Sequence, residues 1–422
     1  MKKTVNHILA AGLLALLSLA SCTDEFIEGN DLQGVDRDKR VEVRLPFGVG
    51  RGITTTITTR AAGGEIDYDS QLSGVMAFVY EAKSDNPEEN ELLAYHLFSN
   101  PSNKPLEGAT GGWIADNDDP TCGEIKFYVP VGDVYIYLLG NAQSSFLNFF
   151  PGVSGGDALG TQAEFFEKAT PKWNGNIHSV DGYLPLTGMV NNNTGLCHVN
   201  EQGQISYTDE EGKTHTLLPD GKHDEDNSFV LKRLMSKITM NIREGKGVKF
   251  TARDYTVRHI PHYVSPTAQA WTEEERDRIL VEDAKPVNFG LLDSLTFTIY
   301  LPENIRKVRS GVEITEYRQR DKVVKTADNK NTEETAPDDF HADNADNHKG
   351  HYKFEFAPKA STYIELTGWF ENADKTVAAD VRYYIHLGNF GKDLNHFSVE
   401  CDHHYTYNVT INGVDDIVVE VE

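Results

Sequence analysis

The sequence predicts a mainly β protein built from β-sandwich domains. Three observations predict it: short runs in which apolar and polar residues alternate, turn-rich spacers between them, and a near absence of helical periodicity. The composition agrees, with 35 Gly and 16 Pro beside frequent β-branched and Tyr residues. At 422 residues the chain has room for two or three domains, each able to bury a core. Hydrophobic residues make up 39% and charged residues 25%, too apolar a mixture for wholesale disorder.

The elements follow in order along the chain. Val41, Val43, Leu45 and Phe47 alternate with polar neighbours and read as a strand with one buried face. Ile53 to Arg60 is β-branched almost throughout, and Ala61-Ala62-Gly63-Gly64 follows as a flexible, exposed segment open to proteolysis. Strands are expected at Gly74–Tyr80, Ile125–Pro130 and Val134–Leu139, and one short helix at Ala163–Ala169. Later strands are expected at Lys237–Ile242, Leu295–Leu301, Tyr352–Phe356, Tyr363–Phe370 and Val381–His386. The end of the chain alternates most clearly: Tyr405, Tyr407, Val409 and Ile411, then, after Gly413, Ile417, Val419 and Val421. Asn191–Asn227 and Thr326–Lys349 read as long polar surface loops. The first is the better interdomain junction, with a second folded unit starting at Phe229-Val230-Leu231.

Charge narrows the function. With 40 Lys+Arg against 65 Asp+Glu, the formal charge of -25 excludes a general nucleic-acid binder, which must displace counterions from phosphates. It also disfavours direct contact with anionic lipid headgroups.

The first residues are an address. Lys2 and Lys3 precede an apolar stretch, Ile8 to Ala20, too short to span a bilayer and fitting a signal-peptide core. It ends in Leu19-Ala20-Ser21-Cys22, a lipobox pattern, so Cys22 is the expected acylation site and the cell envelope the destination. The plainer alternative is an ordinary secretory signal with a chance cysteine. Cys122, Cys197 and Cys401 match no compact disulfide framework and read as structural.

Candidate chemistry is sparse. Cys401, His403 and His404, and the pair Cys197-His198, suggest zinc only superficially, because adjacent strand residues point to opposite faces. Asp116-Asn117-Asp118-Asp119 and the Asp338–Asn344 loop offer oxygens without EF-hand spacing and read as solvated loops. Gly152–Gly156 lacks the strand–turn–helix frame of a nucleophile elbow, and Gly108–Gly112 lacks the Lys of a phosphate loop. No catalytic constellation, metal site or cofactor site is expected, and the chain does not read as an enzyme. Among the tryptophans, Trp369 is expected in the core, whereas Trp113 and Trp173 sit in Gly/Asn-rich surroundings that could present them to sugars or peptides.

Ordered motifs then carry a resemblance. The lipobox and Thr59-Arg60-Ala61 are followed by Gly140-Asn141-Ala142, Leu184-Pro185-Leu186-Thr187-Gly188, Leu231 to Ile238 and Tyr300 to Asn304. Ile385-His386-Leu387-Gly388, Asn395-His396-Phe397 and His403-His404-Tyr405 close the series, which spans nearly the whole precursor. In this order they resemble the fimbrillin, or type V pilin, family of Bacteroidales-type surface fimbriae, most nearly its larger minor or tip subunits. The resemblance implies two tandem transthyretin-like β-sandwich domains, exported as a lipoprotein. It implies residues 1–21 as signal peptide, 22–60 as a propeptide whose strands are removed, 61–226 as the first sandwich and 227–422 as the second. It further implies cleavage by an Arg-specific protease between Arg60 and Ala61, with Arg51 as the second choice. The vacated groove is then filled by a strand from a neighbouring subunit, whose side chains here are Ile417, Val419 and Val421. Expected partners are therefore other fimbrial subunits, the protease, the outer membrane through the lipidated precursor, and a host or glycan ligand. The alternative is a surface lipoprotein that binds such a ligand without polymerising, or a basal anchor that keeps its lipid.

Overall fold

The computed structural model describes residues 39–50, 72–101, 112–115, 122–141, 147–148, 160–168, 172–178, 183–190, 194–219, 227–265, 267, 280–291, 295–308, 311–326, 351–391 and 393–422. Twenty-five strands are assigned among them. The N-terminal half contains β1 (Arg40–Val49), β2 (Gly74–Glu81), β3 (Leu92–Ser99), β4 (Gly112–Ala115), β5 (Cys122–Pro130), β6 (Gly132–Gly140) and β7 (Leu147–Asn148). The short helix α1 (Gln162–Lys168) comes next, then β8 (Lys172–Trp173), β9 (Leu186–Met189), β10 (Leu196–Val199), β11 (Ile205–Thr208), β12 (Thr214–Thr216) and β13 (Phe229–Arg233). The C-terminal half contains β14 (Met235–Glu244), β15 (Val248–Arg258), β16 (Ile260–Pro261), β17 (Val281–Glu282), β18 (Val287–Asn288) and β19 (Thr296–Pro302). After the single-turn helix α2 (Tyr317–Arg320) follow β20 (Val323–Thr326), β21 (His351–Phe354), β22 (Tyr363–Asn372), β23 (Ala378–His386), β24 (His404–Ile411) and β25 (Ile417–Val421).

One eleven-stranded sheet organises the first half, in the order β12-β11-β10-β6-β9-β13-β1-β5-β4, with β2 and β3 added beside β6. The sheet curls on itself, bringing β3 over β5, where Phe98 and Phe127 rings stand 5.9 Å apart. Between the two layers lies a core of Val43, Leu45, Phe47, Val75, Ala77, Val79, Ile125, Phe127, Ile136, Leu138, Phe229 and Leu231. Strand β2 is apolar at nearly every position because both faces are covered. Val75, Ala77 and Val79 face this core, and Met76, Phe78 and Tyr80 face the other way. There α1 seals them, with Phe165 5.1 Å from Phe78 and stacked 5.0 Å from Tyr137.

The second half is two four-stranded sheets, β19-β14-β24-β25 and β18-β15-β22-β23, with a shared core between them. Ile238, Met240, Ile242, Tyr405, Tyr407, Val409 and Ile411 from one sheet meet Phe250, Tyr255, Val257, Leu366, Phe370 and Ile385 from the other. Strict alternation along β24 places Tyr405, Tyr407, Val409 and Ile411 inside and Thr406, Asn408 and Thr410 outside.

The halves repeat one pairing pattern. Strand β1 runs parallel to β13 and antiparallel to β5; β14 runs parallel to β24 and antiparallel to β19. In each half the first strand therefore lies between a late strand that runs parallel to it and an antiparallel neighbour.

Three expectations need correction. The stretch 191–227 is not a long surface loop. It contains β10, β11 and β12, and Cys197, Val199, Ile205, Tyr207 and Leu217 are buried in the first core. Phe229-Val230-Leu231 does not open the second unit, because β13 pairs with β1 and β9 in the first sheet. The chain changes sheets at Leu234, between β13 and β14. Trp369, expected inside, is 42% exposed, because Ile364, Leu366 and Phe370 take the inward positions of β22 and leave 369 facing solvent.

Candidate strand-exchange site

Strand β1 lies inside the first sheet, paired on both sides. It pairs with β5 over nine positions, from Arg40 opposite Pro130 to Gly48 opposite Cys122. On its other side, Phe47, Gly48 and Val49 run parallel with Phe229, Val230 and Leu231. Val43, Leu45 and Phe47 have no solvent exposure. Each such side chain contributes roughly 1.5–3 kcal/mol by burial, so the three together supply about 5–9 kcal/mol. That is comparable with the whole stability of a typical domain, about 5–15 kcal/mol. A sheet that lost β1 would expose both an apolar floor and the unpaired amides and carbonyls of β5 and β13.

Local details fit β1 to this slot. Gly123 lies opposite Phe47, and a Cβ there would stand 3.3 Å from the ring and 2.8 Å from the Ile114 carbonyl, so only glycine admits the aromatic side chain. The edge of Trp113 closes over the same ring, with centroids 4.9 Å apart. At the other end, Gly203 in the β10–β11 turn has φ +75° and touches the Glu42 carbonyl, a position where any Cβ would collide. Arg44 pairs at 2.6 Å with Glu124, which is buried on β5.

The C-terminal end of β1 is held by a polar clasp. The Gly50 amide donates to the Leu231 carbonyl at 2.9 Å. Nη1 of Arg233 donates to the Gly50 carbonyl at 3.0 Å and to Oδ1 of Asp402 at 2.6 Å. Arg233 and Asp402 are each 13% exposed at the side chain, so the pair is only lightly screened. The chain then enters residues 51–71, which carry Arg51, the expected strand Ile53–Thr59, Arg60 and Ala61 and lie outside the described residues. Cys22 also lies outside them.

The residues expected on a donor strand lie in β25, an edge strand paired antiparallel with Tyr407–Ile411 of β24. Val419 is buried, and Ile417 and Val421 pack partly against the second core, while Val418 is 46% exposed. The strand is closed by reciprocal bonds between Thr406 and Glu422 (2.9 and 3.0 Å) and by a turn in which the Gly413 amide donates to the Asp416 carbonyl at 2.9 Å. Thus Ile417, Val419 and Val421 do face one side together, and here that side is their own sandwich.

The remaining candidates among the described residues make structural contacts. Cys122, Cys197 and Cys401 form no disulfide with one another; burial pushes the Cys197 thiol well above its usual range. His403 and His404 diverge, as adjacent residues on extended chain do: Nδ1 of His403 lies 2.8 Å from the Cys401 carbonyl, and Nε2 of His404 lies 3.0 Å from the Thr239 hydroxyl. His198 pairs with Asp133 at 2.8 Å on the surface. No group of three His, Cys, Asp or Glu among the described residues is arranged to hold a metal. Trp173 is buried, its Nε1 donating to the Asn176 carbonyl at 2.8 Å, and is no ligand platform. Asp116–Asp119 and Asp338–Asn344 lie outside the described residues.

One residue escaped sequence reasoning. Arg320 is fully buried, and its guanidinium donates to the carbonyls of Leu394, His396 (2.9 Å), His386 (3.4 Å) and Leu387 (3.2 Å). It lies over the rings of Phe390 (4.2 Å) and Phe397 (3.9 Å). The motifs Ile385–Gly388 and Asn395–Phe397 are therefore the two walls of one arginine socket.

A family model described as a domain of unknown function (DUF4906) matches residues 299–409, from β19 to β24. No curated protein matches the chain in sequence. Among solved structures, the tip fimbrial protein Mfa3 from Porphyromonas gingivalis, with C-terminal truncation, is similar at 12% identity and a TM-score of 0.44, covering 91% of this chain and 98% of that one. Two proteins from Parabacteroides distasonis, each described as a “putative cell adhesion protein”, are also similar. One has 11% identity, a TM-score of 0.46 and coverage of 90% and 96%; the other has 9%, 0.48, and 90% and 98%.

Proposed function

We propose that this chain is a cell-surface fimbrial subunit that carries its own first strand as a placeholder and exchanges it for a strand of a neighbouring subunit. One observation carries the reading: β1 fills a slot inside the first sheet with three fully buried side chains and is followed at once by a segment containing Arg51 and Arg60. An occupant so deeply placed cannot be removed without a replacement, because the loss is of the same order as the domain's stability.

The reaction sequence is export as a lipoprotein through Cys22, cleavage between Arg60 and Ala61, and departure of β1. A second copy then contributes Ile417, Val419 and Val421. Their spacing of two residues matches that of Val43, Leu45 and Phe47, so three apolar side chains replace three, while main-chain bonds to β5 supply affinity independent of sequence. Leaving its own sheet costs β25 less than leaving the slot costs β1. It is an edge strand of five residues with one fully inward side chain, Val419. The sandwich boundary that fits this scheme is the change of sheet at Leu234, and adhesion follows from a surface polymer held by its subunits.

A disulfide lock tests the exchange. Glu42 and Tyr128 lie directly opposite across β1 and β5, with both side chains facing solvent. The double variant Glu42→Cys, Tyr128→Cys, once oxidised, should still be cut by an Arg-specific protease, keep its N-terminal fragment and fail to assemble. Reduction should restore assembly. Polymers from the fully oxidised, cleaved variant would contradict strand exchange at this slot.

A further inference from the structure

The outer face of the sheet β18-β15-β22-β23 carries an arrangement that neither folding nor strand exchange uses. Trp369 stands on β22, an internal strand, with Thr251 of β15 directly opposite on one side and Asp380 of β23 on the other. Its indole is 42% exposed, and among the described residues it makes no side-chain hydrogen bond or ring contact. Where β15 passes this point its register shifts between Ala252 and Asp254, leaving Arg253 as the extra residue of a β-bulge. Bulges re-aim side chains. Here Arg253 reaches across β22 and pairs with the Asp380 carboxylate, so a charged bridge lies beside the indole. The next row outward, Lys249 opposite Glu371, is polar as well.

We propose that this face is a carbohydrate-binding site centred on Trp369, which takes one pyranose ring of a neutral glycan. The chemistry of a pyranose fits what is displayed. One face of the ring presents C–H groups that lie flat against an aromatic surface, and its rim presents neighbouring hydroxyls. A hydroxyl pair needs a donor and an acceptor held side by side, which the Arg253 guanidinium and Asp380 carboxylate supply; the free indole N–H and the Thr251 hydroxyl add two more polar contacts. A protein partner would call for a wider apolar patch than one indole framed by Lys, Arg, Asp, Glu and Thr. The site uses neither β1 nor β25, so it stands apart from the exchange reading.

The test is a titration of the full chain with methyl β-D-glucopyranoside and methyl β-D-galactopyranoside, followed through the indole N–H resonances, with sorbitol as the open-chain control. Trp369→Phe assigns the resonance. The expected result is a saturable shift of the Trp369 signal with at least one glycoside, of the order of 1 mM in affinity, and none with sorbitol. Trp369→Ala should abolish binding, and Asp380→Asn should weaken it roughly tenfold through loss of a charge-assisted hydrogen bond. Both positions face solvent, so these variants keep the fold. No saturable shift with either glycoside, an equal response to sorbitol, or unchanged affinity in Asp380→Asn would overturn the proposal.

Discussion

Arg233 stands 2.6 Å from Asp402, joining the last strand of the first sheet to the loop that precedes β24. The same guanidinium nitrogen holds the Gly50 carbonyl at the end of β1. Because it reads a main-chain atom, the clasp accepts any strand that reaches this depth in the slot, whatever its sequence. Asp402→Asn leaves Arg233 less well paired and should destabilise the uncleaved chain by about 1–3 kcal/mol. The loss should show as a lower urea midpoint with unchanged slope, and β1 should leave faster after cleavage.

The buried side chains of β1 make a sharper prediction. Leu45→Ala and Phe47→Ala should cost the uncleaved chain about 2–5 and 3–5 kcal/mol respectively. Val418→Lys, at a position 46% exposed on β25, should change stability by less than about 0.5 kcal/mol. Once β1 has been cut away and replaced, the Leu45 and Phe47 variants should be indistinguishable from the parent chain. Denaturant titrations before and after proteolysis provide the comparison.

Trp113 reports on the slot. Its ring meets Phe47 edge-on at 4.9 Å, so departure of β1 strips one side of the indole. Tryptophan emission should shift to the red on release of β1 and return when a strand is supplied. Trp113→Phe should remove most of that change, which stopped-flow fluorescence can follow.

Much of this arrangement was legible in the sequence, because alternation is a direct record of one-sided burial. The runs at Val41–Phe47, Tyr405–Ile411 and Ile417–Val421 become strands with the predicted inward residues. What hid were elements too short for periodicity to register. Strands β10 and β11 have four residues each and β12 three, so their buried Cys197, Val199, Ile205 and Tyr207 are lost in a polar background. Trp369 is expected inside because it sits in the alternating strand Tyr363–Phe370, but its parity with the outward Thr367 and Glu371 gives it the solvent face. Arg320 was invisible for another reason: its partners are backbone carbonyls, which leave no trace in residue identity. The slot itself depends on β1 meeting β5 and β13 from distant parts of the chain, a matter of topology rather than local pattern.

Arg320 is accordingly expected to be intolerant of substitution. A fully buried cation with four carbonyl acceptors leaves those acceptors unpaired when it is removed, so Arg320→Met should cost at least about 3 kcal/mol. Arg320→Lys should rescue little, because a point charge cannot span the fork. Thermal unfolding of both variants decides this.

Acid should loosen the same region. His386 is buried; loss of hydration lowers its pKa against the opposing effect of the Asp321 carboxylate, 2.7 Å from Nδ1. His178 is lowered for the same first reason, opposed by the Thr298 carbonyl. A folded-state pKa below the unfolded value means that the unfolded chain binds more protons, so stability present at neutral pH falls as pH drops below about 6.5. Urea midpoints should decline between about pH 7 and pH 5, and His386→Gln should flatten part of that decline.

The most direct test of the central claim is the N-terminal residue and mass of the protein recovered from cells with and without the Arg-specific protease. The account predicts a mature chain that begins at Ala61, lacks β1 and runs as a ladder of multimers, and an uncut, monomeric chain when the protease is absent. A chain that keeps an acylated Cys22 and its β1 strand, with no multimers in the presence of active protease, would contradict it.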